Sequence, residues 1–210
     1  MKIRFLVFTL LLIGLFLSCE KGVVIYTLKG TLTDQTFSQA LNGSTVDLYK
    51  VTPGSTYQKH MGSFNVGSDG KYLFTFPREK AEKYILKISK SNYFYLESEI
   101  YLSELSIDSD NVYNYSTTAK SWVKLTFKNT LNPAPGDQFK YIKQQGKEGC
   151  SECCADTEQF LNGIIDTSIY CINDGNQYYS YLYFKMGTTF SGIMETQTAA
   201  FDTTEIILNY

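Results

Sequence analysis

The amino-acid sequence predicts an all-β protein of two tandem antiparallel β-sandwich domains that follow a cleaved signal peptide. Composition gives the first reason, because 17 Tyr and 14 Phe among 210 residues suit the pleated, half-buried surface of a sheet. Spacing gives the second. Short runs of alternating polarity recur along the chain between clusters of Gly, Asn, Asp and Pro, the residues that favour turns.

The N-terminal segment predicts export. Lys2 and Arg4 precede an uncharged run at 5–17, which is shorter than the about 20 residues that a membrane-spanning helix needs. The run matches the apolar part of a secretory signal, which is typically about 7–15 residues long after a basic start. Residues 1–18 are therefore expected to be removed from the mature protein.

The same segment ends in "LFLSC" (15–19), which resembles the lipobox of bacterial lipoproteins. The resemblance implies that the Cys19 thiol is acylated with palmitate-type chains and that residues 19–22 form a short tether. It also implies a lipid-anchored protein of the bacterial outer membrane or cell surface. The alternative is an ordinary cleaved signal with a chance cysteine.

The charge of the mature chain argues against a nucleic-acid partner. Removal of Lys2 and Arg4 leaves 17 basic residues against 21 acidic ones, a net charge of −4, without the surplus of cations that neutralises phosphates. The expected partners are the membrane, through the lipid anchor, and a glycan or protein at the cell surface. The sequence carries no phosphate-binding loop, zinc-binding helix motif or dinucleotide fingerprint, so no cofactor is expected.

Residues 23–118 are predicted to form the first sandwich. The segments "GTLTD" (30–34) and "DGKYLF" (69–74) resemble the carboxypeptidase-regulatory-like and transthyretin-like β-sandwich modules. The matching positions are structural, because Asp69 and Gly70 suit a turn while Tyr72 and Phe74 suit a core. The resemblance implies a non-catalytic spacer or binding unit and transfers no catalytic residue.

Residues 119–210 are predicted to form the second sandwich. The segment "SWVKLTFKN" (121–129) alternates cleanly in polarity, and several aromatic-rich runs follow it. Helical spacing occurs in "DTEQFLNGIID" (156–166), where apolar residues fall at i, i+1, i+4 and i+5. We expect a short helix or helical turn there.

Four cysteines besides Cys19 are candidates for disulfide bonds: Cys150, Cys153, Cys154 and Cys171. An exported protein meets an oxidising environment, where an even number of cysteines favours bridges over free thiols or a four-thiolate zinc site. Neighbouring Cα atoms are about 3.8 Å apart, less than the about 4.4–6.8 Å of a disulfide, so Cys153 and Cys154 are not expected to pair. Two pairings stay open: Cys150–Cys153 with Cys154–Cys171, and Cys150–Cys154 with Cys153–Cys171.

Candidates for catalysis or metal binding are few. His60, the one histidine, would have to serve any Ser–His or Cys–His pair, and we expect it to be a solvated strand residue instead. Glu97 and Glu99 share a strand face, while Asp108 and Asp110 lie in a predicted loop. Each pair offers oxygen ligands for Ca²⁺, but ordinary outward charges explain them more simply. We predict no catalytic residue and no metal site.

A row of tyrosines is the candidate binding feature. Tyr179, Tyr181 and Tyr183 share one strand face, while Tyr178, Leu182 and Phe184 share the other. If the first row faces outward, it forms a flat aromatic strip that stacks on sugar rings or on a partner protein. The alternative is that the other domain or a loop covers the row.

These observations predict a non-catalytic cell-envelope lipoprotein that acts as a surface binding or spacer module. One alternative is a glycan- or peptide-binding accessory protein that uses the tyrosine strip. Another is a hydrolase whose two carboxylates, about 5–9.5 Å apart, come from strands that sequence alone does not align.

Overall fold

The computed structural model describes residues 22–210. The predicted signal peptide, Cys19 and all but the last residue of the tether lie outside the described residues. From residue 22 onward the helical structure is one 3-10 turn at Leu102–Glu104. Within this part of the chain, no helix has the length and apolar character needed to cross a membrane.

The first sandwich packs a five-stranded sheet against a four-stranded sheet. Its strands are β1 (Ile25–Asp34), β2 (Gln39–Ala40), β3 (Thr45–Val51), β4 (Gln58–Asn65), β5 (Lys71–Pro77), β6 (Lys83–Ser89), β7 (Leu96–Tyr101), β8 (Asn111–Val112) and β9 (Tyr115–Thr117). Strand β1 pairs antiparallel with β2 and β5 and parallel with β8 and β9. The second sheet has the antiparallel order β4-β3-β6-β7.

Alternation along these strands builds the core of the first sandwich, because successive side chains point to opposite faces. In β3, Val46 and Leu48 face inward and are fully buried, and in β5 Tyr72 and Phe76 do the same. The inward rows of the two sheets form one cluster of aliphatic and aromatic side chains.

The two segments that resemble regulatory modules have the predicted structural roles. A Cβ at Gly30 would lie 1.7 Å from the carbonyl oxygen of Tyr113, so only glycine fits where β1 passes the segment between β8 and β9. The Tyr72 hydroxyl donates to that same oxygen at 2.7 Å. Gly70 has φ +71°, a left-handed conformation that glycine adopts without a steric penalty, and it ends the turn before β5.

The second sandwich packs a three-stranded sheet against a four-stranded sheet. Its strands are β10 (Lys120–Lys128), β11 (Gln138–Gln145), β12 (Gln159–Asn162), β13 (Asp166–Asp174), β14 (Tyr178–Lys185), β15 (Ser191–Gln197) and β16 (Thr203–Asn209). The sheet orders are β13-β10-β16 and β12-β11-β14-β15. All pairs are antiparallel except β10 with β16. The predicted all-β class with two sandwiches is confirmed, and the structure adds parallel pairs to the antiparallel ones.

The helix expected at 156–166 is wrong. Residues 159–162 form β12, which pairs antiparallel with β11, so that Gln138 lies opposite Asn162. Gly163, at φ +83°, then turns the chain into β13. A non-local strand partner therefore overrides the local helical spacing, which Gly163 already weakened.

Candidate functional site

The predicted tyrosine strip lies inside the second sandwich. Tyr179 and Tyr181 are 1% and 0% exposed, and both belong to the second core cluster. The Tyr181 ring packs against Phe127 at 5.8 Å and Tyr141 at 6.1 Å between ring centroids. Tyr183 is half-buried and lies 5.4 Å from the Phe190 ring. The prediction of an exposed binding strip is therefore wrong, because this row faces the opposite sheet.

The cysteines form two disulfide bonds, Cys150–Cys153 and Cys154–Cys171, each with Cα atoms 5.3 Å apart. The structure thus chooses the first of the two pairings that the sequence left open. Cys154–Cys171 ties the 146–158 loop to β13 beside the core, where Cys171 is 1% exposed. The two disulfides therefore restrain a long loop of the second sandwich.

A buried lysine holds the same loop from the inside. Lys143 in β11 is 6% exposed, and its ammonium group donates to the carbonyl oxygens of Lys147 at 2.8 Å and Cys154 at 2.9 Å. Backbone carbonyls thus replace the water that a buried charge loses. Sequence reasoning missed this lysine, because a lysine on a strand is normally solvated.

The acidic pairs and the histidine lie apart on the surface. Glu97 and Glu99 face outward from β7, beside lysines of β6, and the hydrogen bond from Lys83 at 2.6 Å lowers the pKa of Glu99. Asp110 forms an ion pair with Lys29 of β1, and Asp108 is exposed in the preceding loop. Among residues 22–210, no cluster of three or more His, Cys, Asp or Glu side chains could hold a metal ion.

His60 lies in an exposed cluster that differs from a catalytic triad. Its Nε2 lies 3.1 Å from the Ser63 hydroxyl and 3.6 Å from the Asp47 carboxylate. Ser63 also donates directly to Asp47. In a triad the serine and the aspartate contact opposite nitrogens of the histidine, whereas here both face the same one. The side chain of His60 is 50% exposed, as expected for a solvated strand residue.

A groove of ≈ 710 Å³ runs along the first sandwich. Its walls come from β1, the end of β4, β5 and the segment around β8, and they include Leu73 and Val112, which are 48% and 56% exposed. Lys29 and Lys71 also line the groove. Large exposed apolar side chains that share a concave surface are a feature of binding sites.

The two sandwiches meet end to end at a closely packed joint. Strand β1 ends at Asp34 and β10 begins at Lys120, with Thr118 and Ala119 as the link between β9 and β10. Backbone bonds cross the joint: Lys120 N–H donates to the Asn92 carbonyl at 2.8 Å. Strand β1 runs toward the joint and β10 runs away from it, so the two sandwiches lie on opposite sides of the joint.

Side chains from both sandwiches fill the joint. Phe201 of the second sandwich stacks on Phe37 at 5.9 Å and lies 5.4 Å from the Tyr93 ring. Lys147 places its ammonium 4.3 Å from the Phe94 ring centroid while forming an ion pair with Asp174 at 3.0 Å. Aromatic and charged contacts of this kind, combined with backbone bonds, restrict rotation about a two-residue link.

A buried carboxylate organises the first-sandwich side of the joint. Asp34 is 0% exposed, and it accepts the Tyr93 hydroxyl at 2.7 Å and the Thr36 N–H at 2.9 Å. Burial, and then the hydrogen bond to Asp34, raises the pKa of Tyr93 well above its ordinary value. The last residue of the "GTLTD" segment thus shapes the turn that meets the second sandwich.

Comparison with known proteins gives distant structural likenesses. No family model and no curated protein matches the chain. A streptococcal ancillary pilin is 12% identical to this chain, with a TM-score of 0.39. The match covers 90% of this chain and 63% of the pilin, so this chain spans less than two thirds of the pilin's length. The shaft pilin SpaA of Lactobacillus rhamnosus GG is 10% identical with a TM-score of 0.36, over 89% and 97% of the two chains. A 3-chlorocatechol 1,2-dioxygenase of Rhodococcus opacus is 10% identical with a TM-score of 0.34, over 48% and 61%.

Proposed function

We propose that this chain is a non-catalytic cell-envelope lipoprotein that acts as a stiff surface spacer carrying a binding groove. The observation that carries the proposal is the joint, where backbone bonds and the Phe201 contacts hold two sandwiches end to end. A flexible tether would need no such packing. The lipid anchor on Cys19 rests on the lipobox resemblance.

The direction of β1 sets the expected distance from the membrane. Ile25, the first residue of β1, follows Cys19 by six residues, which span at most about 20 Å when extended. Because β1 has 10 residues at about 3.3 Å each, the joint lies about 30 Å beyond its start. The 9 residues of β10 add about 30 Å more. The far end of the second sandwich is therefore the part presented to the surroundings.

Palmitate labelling tests the anchor. The full chain is produced in a bacterium that makes outer-membrane lipoproteins, and labelled chain is measured in the membrane fraction. We expect the wild type and a Ser18→Ala control to be labelled and membrane-bound, while a Cys19→Ser variant is unlabelled. Label that survives Cys19→Ser would contradict the proposed anchor.

The groove supports a second role as a peptide-binding site. It offers exposed apolar side chains beside β5, an edge strand, and edge strands recognise extended peptides through their free backbone groups. A peptide array probed with the full chain tests this role. Leu73→Asp is expected to weaken binding at least about tenfold, or about 1.4 kcal/mol, while Ile193→Asp on the second sandwich leaves it unchanged. Equal losses in both variants would contradict binding at the groove, and so would the absence of any bound peptide.

A further inference from the structure

A polar pocket opens at the joint between the two sandwiches. Its volume is ≈ 330 Å³, at the lower end of the about 300–1,000 Å³ that small-molecule sites occupy. The first sandwich contributes Gln35 and Thr36, the link contributes Thr118, and the second sandwich contributes strand ends that include Gln145 and Asp174. Small-molecule sites occur preferentially where two domains meet, so this pocket is a candidate for one.

Side-chain amides supply most of the hydrogen-bonding groups of the pocket. Three of the described residues that line it are exposed glutamines: Gln35, Gln145 and Gln177. Each amide has an oxygen that accepts and an NH₂ group that donates. A hydroxyl group also both donates and accepts, so these amides suit a ligand that carries several hydroxyl groups.

The charge of the pocket is balanced. Of the described residues that line it, Asp174 alone is charged, and Lys147 forms an ion pair with it at 3.0 Å. Lys147 and the Thr118 hydroxyl both donate to Asp174 Oδ1, which leaves Oδ2 available to accept from a ligand. An anionic ligand would be repelled by this carboxylate, and a cationic one would compete with Lys147. A neutral ligand avoids both costs.

Tyr178 adds an aromatic ring to the lining of the pocket. The residue is 46% exposed, so its ring is accessible to a ligand. A tyrosine ring offers an apolar face next to a polar hydroxyl group. The C–H groups on one face of a sugar ring can pack on such a face while the sugar hydroxyls reach the amides.

Buried hydrogen bonds hold the floor of the pocket in place. Asn173 lines it and is 0% exposed. It accepts from the Lys147 N–H at 2.7 Å and donates to Thr198 Oγ1 at 3.3 Å, and a satisfied buried network of this kind is rigid. Beside it, strand β11 has a register shift between Lys143 and Gln145. A bulge next to a binding site redirects a side chain, here that of Gln145.

We propose that this pocket binds a neutral sugar unit of a glycan. Tyr178 packs on one face of the sugar ring, while the amides of Gln145 and Gln177 and Asp174 Oδ2 bond to its hydroxyl groups. Because both sandwiches line the pocket, the site is complete only when they are joined. The inference goes beyond the spacer role, and it is independent of the lipid anchor and of the groove.

Saturation-transfer NMR on the full chain tests the proposal. The probes are the methyl glycosides of glucose, galactose, mannose and N-acetylglucosamine, with methyl glucuronide as an anionic comparison. We expect transfer from the protein to at least one neutral glycoside, with a weaker signal from the glucuronide. Absence of transfer to all four neutral probes would overturn the proposal. A stronger signal from the glucuronide than from every neutral probe would overturn it as well.

Variants locate the bound sugar. Gln145→Ala should raise the Kd of the best probe about fivefold, the loss of one hydrogen bond, and Tyr178→Ala should raise it by at least as much. Both residues are exposed, so urea unfolding should show that both variants fold as the wild type does. Gln144→Ala is the matched control, because Gln144 is the neighbouring exposed glutamine and does not line the pocket.

The control and the wild type should have the same Kd. The groove variant Leu73→Asp should also bind the sugar normally, which separates failure of this inference from failure of peptide binding. A Kd that stays unchanged in both Gln145→Ala and Tyr178→Ala would overturn the assignment of the sugar to this pocket.

Discussion

Tyr181 provides the sharpest test of where the tyrosine row lies. Its side chain is 0% exposed in the middle of β14, so truncation to alanine removes an aromatic ring from a packed core. Such changes cost about 3–5 kcal/mol, and we expect Tyr181→Ala to lose stability in that range. An exposed strip would predict a change within about 0.5 kcal/mol.

The hydroxyl group of Tyr181 gives a second, opposite prediction. It is buried and has no hydrogen-bond partner among the described residues, and burial raises its pKa well above the ordinary value. An unpaired buried polar group costs about 1–3 kcal/mol. Tyr181→Phe removes that group and keeps the ring, so we expect it to be neutral or to stabilise the protein by about 1–2 kcal/mol.

Urea unfolding followed by circular dichroism measures both variants. Tyr178→Ala is the matched control, because Tyr178 starts the same strand but is 46% exposed. We expect the free energy of unfolding of Tyr181→Phe to equal or exceed that of the wild type. The Tyr178→Ala control should lie close to the wild type, and Tyr181→Ala should lie far below it. A Phe variant that loses more than about 1 kcal/mol would show that the hydroxyl has a partner, and an Ala variant close to wild type would refute burial.

Three further predictions concern the loop, the pH dependence and the joint. Replacing Cys154 and Cys171, which are 17 positions apart, with serines should lower the free energy of unfolding in urea by about 3 kcal/mol. The same change at Cys150 and Cys153, which are 3 positions apart, should lower it by about 2 kcal/mol, because this bridge closes a shorter loop. Equal losses would contradict the dependence on loop length. Burial raises the pKa of Tyr84 to about 12, whereas the unfolded value is about 10. The folded chain therefore keeps a proton that the unfolded chain has lost, and stability that is fully present below about pH 10 should fall as the pH rises toward 12, by up to about 1.4 kcal/mol per pH unit. Urea midpoints across this range should fall less steeply for Tyr84→Phe, and an unchanged slope would contradict the assignment. Tyr93→Phe leaves the buried carboxylate of Asp34 without a donor that now lies at 2.7 Å, and should cost about 1.5–3 kcal/mol in the same assay; a loss below about 0.5 kcal/mol would contradict a structural role for that bond.

Local patterns predicted the class of fold because they reflect local physics. Alternation placed Tyr72 and Phe76 in the core, and the Asp69–Gly70 turn was predicted from the conformational freedom of glycine. The choice between the two rows of β14 was not available from the same pattern. Both rows are aromatic or aliphatic, and a period of two gives two faces without saying which one meets the opposite sheet.

Features that depend on distant partners lay beyond the sequence. Backbone geometry excluded a bond between Cys153 and Cys154, but the choice between the two remaining pairings depended on how the loop folds onto β13. The joint unites Asp34, Tyr93 and Phe201, which are far apart in the chain. The pairing of 159–162 with β11 is equally non-local, and it explains why helical spacing there misled the prediction.

The central claim is that the two sandwiches form one stiff spacer, and a distance across both of them tests it most directly. Spin labels would be placed on cysteines replacing Tyr57, which lies beside β4 near the N-terminal end, and Ile164, which lies at the far tip; these residues are 74% and 62% exposed. Pulsed electron paramagnetic resonance on the full chain should give a single narrow distribution of the distance between the two labels. The distance should be about 60 Å, the combined length of β1 and β10. A broad distribution, or one with several separate peaks, would show that the joint bends freely and would contradict the account.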